Sequence, residues 1–142
     1  MKTIFSIFVL AFAVQAQAAT PKLTCKGVSS TNLGAASVYV KTNPPQNTLS
    51  VAVVRAGQRP SQYDWHTLKV TKVVPMFPVT TVVASRDMRP VDGPLVEATL
   101  AISTEAVNPS TGERPARLTV TTTSPRGGTP RADRYQVACK LN

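Results

Sequence analysis

The sequence predicts an all-β domain: an eight-stranded antiparallel up-and-down barrel or a strongly coiled sandwich, its first and last strands joined by a disulfide. Apolar residues recur at every second position rather than every third or fourth, the period of a strand with one buried and one wet face. Twelve prolines and clustered Gly, Asn and Asp punctuate the chain. The two cysteines lie on the apolar faces of the first and last of these runs.

The chain opens "MKTIFSIFVLAFAVQAQAAT": Lys2, an apolar run from Ile4 to Val14, then Ala16-Gln17-Ala18 in an A-x-A arrangement. This is the pattern of a secretory signal peptide over residues 1–18, with cleavage after Ala18 or Ala19. The run falls short of the roughly 20 residues a spanning helix needs, and no later stretch reaches that length. No cysteine stands at the cleavage site to take a lipid. Residues 19–142 form a single β domain, long enough to bury a core, in an exported protein placed in the periplasm or, next, outside the cell.

Eight candidate strands follow in order: 22–26, 36–42, 48–55, 67–73, 77–84, 95–103, 116–123 and 134–141. In "TLSVAVV", Leu49, Val51 and Val53 share one face, with Ser50 and Ala52 on the other. Val96, Ala98, Leu100 and Ile102 oppose Glu97, Thr99 and Ala101, and Leu118 and Val120 oppose Arg117, Thr119 and Thr121. Turn formers separate the runs: "TNPPQN", "RAGQRPSQ", "RDMRPVDGP", "NPSTGERP" and "PRGGTPRAD". No connection holds a crossover helix, so successive strands pair antiparallel. Pro75 and Pro78 in "VVPMFPVTT" mark a hairpin, a bend in one long strand, or an edge; loss of a strand there would leave a seven-stranded sandwich.

Cys25 alternates with Leu23, and Cys139 with Tyr135, Val137 and Leu141, so both thiols face the core. An exported chain with two cysteines pairs them. The Cα atoms must then approach within about 7 Å, which makes the first and last strands neighbours and closes the sheet.

Chemistry-bearing groups are sparse. The only histidine is His66, no serine sits in a Gly-flanked elbow, and both thiols are consumed in the bridge. One His without clustered acids does not make a zinc site, and "RGGT" lies between strands rather than before a helix. The chain therefore reads as a non-enzyme without cofactor or metal.

Sixteen Lys and Arg against seven Asp and Glu give a net charge of +9, or +8 once Lys2 is removed with the leader. An exported basic protein attracts an anionic glycan, lipid headgroups or an acidic protein surface. Nucleic acid is disfavoured, because no aromatic-basic strand motif of the RNA-binding type is present. In a meander the odd-numbered connections share one end, and seven of the nine arginines fall there: Arg55, Arg59, Arg86, Arg89, Arg126, Arg131 and Arg134. Tyr63, Trp65 and His66 belong to the same connections. Forked guanidinium groups beside aromatic faces suit an anionic partner. The competing expectation is that these arginines pair locally with Asp64, Asp87, Asp92 and Asp133 while Trp65 closes the barrel's end. A small apolar ligand inside the barrel is a further class, although the large inward Leu, Val, Ile and Tyr residues predict a filled interior.

In layout, a short exported chain with Cys in the first and last strands of an antiparallel barrel resembles the bacterial periplasmic lysozyme inhibitors. That resemblance implies an inhibitor of an envelope or extracellular hydrolase, with "SRDMRPVDGP" as the loop entering the enzyme's cleft. No stretch matches the Ser, Gly and aromatic signature of the family's inhibitory loop, so no site residue carries over.

Overall fold

A computed structural model describes residues 18–31, 34–87 and 94–142. Of the predicted leader, it includes Ala18 alone. Eight strands run in chain order: β1 (Leu23–Thr31), β2 (Gly34–Asn43), β3 (Thr48–Arg55), β4 (His66–Met76), β5 (Val79–Asp87), β6 (Leu95–Ser103), β7 (Glu113–Thr123) and β8 (Arg131–Leu141). Each pairs antiparallel with the next, and β8 pairs with β1, so the sheet is a closed barrel rather than a sandwich. The Pro75 and Pro78 ambiguity resolves as a hairpin: Met76 pairs with Val79 across Phe77-Pro78. Several strands outrun their predicted bounds, β1 by five residues to Thr31, because ladder hydrogen bonds continue past the alternating segment.

Cys25 and Cys139 stand directly opposite in the β1–β8 register and are bonded, with Cα atoms 4.0 Å apart. The inward face forms one contiguous apolar cluster whose members, among them Leu23, Val40, Leu49, Leu68, Val82, Leu100 and Leu118, are at most 6% exposed. The outward positions carry Thr24, Lys26, Lys41, Arg117, Arg134 and Gln136, by register with inward-facing neighbours. Apolar inside and charged outside is the reverse of a membrane-spanning barrel. No helix among the described residues is long and apolar enough to cross a membrane.

The barrel has a base and a rim. The base holds the turns after β2, β4 and β6 and both ends of the described chain. There Thr42, inward and buried, accepts the Leu23 amide proton at 3.0 Å and donates to the Pro21 carbonyl at 2.5 Å. Asn47, in the left-handed region at φ 53°, donates its side-chain amide to the Val70 carbonyl at 3.1 Å and accepts from the Thr20 hydroxyl at 2.6 Å. The first residues after the predicted cleavage point are thus tied into the fold.

Two seams are short. The β3–β4 register holds four pairs and the β1–β8 register five, against seven to ten at the others. The disulfide crosses the second. At the first, β4 joins β3 only from Val51 to Thr48, leaving Ala52 to Arg55 beyond its reach. The connection from Ala56 to Trp65 must therefore travel back along the barrel.

Candidate functional site

That returning connection covers an outer wall of the barrel with aromatic side chains. It reverses at Gly57, whose φ of 87° lies in the region L side chains disfavour. The Gln58 side chain accepts the Arg55 amide proton at 2.9 Å, and a single 3-10 turn at Pro60–Gln62 aims the chain back along the wall. Tyr63 then stacks on Tyr39 of β2, with ring centroids 5.2 Å apart. Trp65 follows, 6.5 Å from Tyr63.

These rings sit outside the barrel. Val38, Val40 and Thr42 of β2 face inward and are buried, so Tyr39 and Lys41 face outward. Lys41 places its Nζ 4.1 Å from the Trp65 ring centroid, and Lys26 of β1 places its own 5.7 Å from the Tyr39 centroid. The expectation that Trp65 closes the barrel's end is thus corrected: it covers the outer wall. Underneath, outward Ala52 is fully buried and Val54 is 5% exposed, although neither belongs to the interior cluster. Burying these apolar outward positions explains why the connection folds down instead of standing at the rim.

The register maps the charge of this wall. Thr24 of β1 is flanked by Lys41 on one side and Lys140 on the other, and Lys26 lies between Tyr39 and Ala138. With strands about 4.8 Å apart, the three lysines gather within a few strand spacings. Glu113, opposite Lys140, is the acid at the wall's edge. Among the described residues the ion pairs are His66–Asp64 at 3.7 Å and Arg131–Asp133 at 3.3 Å, and neither involves these lysines. A polar groove of about 510 Å³ continues from Lys41 past Thr48, Ser50 and Thr67 to Lys22. Hydrogen bonding to Tyr39 is the main reason the Tyr63 phenol holds its proton above the usual range; partial desolvation and charge repulsion from Tyr39 add to it.

The predicted arginine cluster is distributed differently from the aromatics. Arg55 ends β3, and Arg59 lies exposed on the returning connection. Arg86 shares the inward face of Val82 and Ala84, half-buried, with a buried Nε that has no hydrogen-bond partner. Arg126 lies on the exposed rim turn before β8. Arg131 donates from Nε and Nη2 to Asp133 at 3.3 Å, a local pairing of the kind anticipated. Arg134 points outward opposite Thr119. His66 begins β4 on the face shared with Val51, beside the exposed Asp64. Arg89 and the loop over residues 88–93 lie outside the described residues. The lysines escaped the sequence reading because they are scattered along the chain and only the register brings them together. One signal was present: the outward positions of β3 read Ser50, Ala52 and Val54, with no charge, which marks a covered wall.

The described residues contain no group of three or more His, Cys, Asp and Glu suited to a metal ion. Compared with protein-family models, curated proteins and solved structures, the chain matches none.

Proposed function

We propose that this is an exported, non-enzymatic binding protein that recognises an acidic glycan-type polymer along the outer wall of β8, β1 and β2. The observation that carries the reading is the alternation Lys26, Tyr39, Tyr63, Trp65, Lys41, in which two ammonium groups are held over aromatic rings. Cations restrained in this way lose less rotamer entropy when they meet an anion, and partly exposed rings offer apolar faces to sugar rings. Lys140 and the adjoining polar groove lengthen the track beyond a single charged group. The packed interior gives no support to a small apolar ligand as cargo.

The test is calorimetric titration with polygalacturonate at low and high salt. We expect affinity that falls steeply with ionic strength and drops by about tenfold or more in the Lys41→Ala/Trp65→Ala variant. The Arg126→Ala/Arg131→Ala variant should bind nearly as the parent does. Loss of binding in the arginine variant alone would transfer the site to the rim, and salt-insensitive binding would remove the proposal.

A further inference from the structure

The base of the barrel exposes apolar surface that neither the core nor the proposed glycan wall uses. Seven large apolar residues are prominently exposed among those described; Met76, Phe77, Val79 and Leu141 lie at the base, while Val107, on the turn after β6, lines a cavity with Lys26, Gln136 and Ala138 of the outer wall. Met76 and Phe77 are 68% and 75% exposed at the tip of the β4–β5 hairpin. Pro75 and Pro78 flank them, so the tip is stiff and cannot readily fold its apolar side chains back onto the barrel. Met76, Phe77 and Val79 adjoin at the hairpin tip, and adjoining exposed apolar residues mark a contact surface.

Charge around the base indicates the occupant. Lys69 and Lys72 point outward from β4 on the hairpin that carries the tip, while Lys22 and Lys140 lie beside the paired starts and ends of β1 and β8. In a closed eight-stranded barrel β4 and β8 are on opposite sides, so these lysines flank the base from both directions. The acids described at this end are Glu105 and Glu113. Arg114 is turned inward, donating to the Thr104 carbonyl at 2.8 Å. A cleft in a partner protein would engage the tip alone. A flat anionic surface engages the tip and the lysines on both sides together.

We infer that the base docks on an anionic bilayer, seating Met76 and Phe77 among the headgroups while Lys22, Lys69, Lys72 and Lys140 meet lipid phosphates. Two inserted side chains with a few basic contacts give reversible, peripheral attachment, in contrast to a spanning segment. Attachment at the base draws Lys22 and Lys140 away from the proposed glycan track but leaves Lys26, Tyr39, Lys41, Tyr63 and Trp65 on the outer wall, so one molecule can hold a bilayer and an acidic polymer together through separate residues.

Flotation with vesicles tests this, using the full-length gene product expressed with its own leader and its N-terminus read by mass spectrometry. Vesicles of phosphatidylcholine alone are compared with equal parts phosphatidylcholine and phosphatidylglycerol. The protein should float with the anionic vesicles and not the neutral ones. Met76→Ser/Phe77→Ser should reduce binding by about tenfold or more at unchanged melting temperature, since both side chains are exposed. Lys69→Glu/Lys72→Glu should remove the preference for anionic lipid, while Lys41→Ala/Trp65→Ala, which tests the glycan wall, should float normally. Absence of flotation, equal binding to neutral vesicles, or undiminished binding by the tip variant overturns the inference. Capture of a protein through Phe77 without vesicle binding does the same, assigning the tip to a protein partner.

Discussion

Lys41 holds its ammonium nitrogen 4.1 Å from the centroid of the Trp65 ring. The contact joins a strand of the barrel to the connection that folds back over it, and it is the point where packing and proposed recognition meet.

Lys41→Met keeps most of the side-chain volume and removes the charge, so it isolates the cation–π contribution. We expect a loss of about 0.5–2 kcal/mol in denaturant unfolding and a changed emission spectrum, Trp65 being the single tryptophan. An unchanged spectrum and midpoint together would show that the ammonium does not sit over the ring.

Reduction of Cys25–Cys139 removes a link between residues 114 apart in sequence. The chain-entropy argument gives about 4–5 kcal/mol, and the melting temperature should fall by roughly 10–20 °C. The interior cluster should keep the reduced barrel folded, since that cluster is contributed by all eight strands. Thermal melts with and without reductant check this, and equal melting temperatures would contradict it.

Gly27 marks the last β1–β8 pair, where the strands pass closely. A Cβ there would overlap the Gln136 carbonyl oxygen and lie 2.7 Å from Val137 Cγ1. Gly27→Ala should therefore cost about 1–3 kcal/mol by forcing the strands apart. Gly57→Ala meets no atom within 4 Å and suffers only from its φ of 87°, a cost of about 1–2 kcal/mol. Urea unfolding of the two variants compares a steric with a conformational penalty; the larger loss is expected at Gly27.

Tyr135 is partly buried against the core, and burial is the main cause that raises its phenol above the ordinary 10.0, with Asp133 reinforcing and Arg131 opposing the shift. The folded state therefore retains this proton more tightly than the unfolded chain. The associated stability is fully present below the unfolded value and declines as pH rises through the folded one. Tyr135→Phe should flatten the alkaline decline in unfolding free energy, measured by denaturant titrations across that range, and an unchanged slope would exclude the linkage.

Alternation and turn chemistry are local properties, which is why the sequence disclosed the all-β class, the eight strands and the inward cysteines, while the closed register decided barrel over sandwich. An antiparallel meander needs little else: each strand pairs with its neighbour in sequence, and the bridge requires the two ends to meet. The hairpin at Phe77-Pro78 needed the register, because a proline-bearing run is compatible with a turn, a bend or an edge.

The path of the connection after β3 was not legible, because a turn-rich segment specifies where a strand stops and not which surface it then covers. Burial of Ala52 and Val54 drew that segment down the outer wall, carrying Tyr63 and Trp65 away from the rim to Tyr39 and Lys41. The same holds for Lys26, Lys41 and Lys140, which are distant in sequence and adjacent in the sheet. Sequence alone determined the alternation that makes strands and sets each side chain in or out. Tertiary structure decided which outward side chains meet, since that depends on cross-strand register and on the apolar area a loop can bury, both of which arise only when the barrel closes.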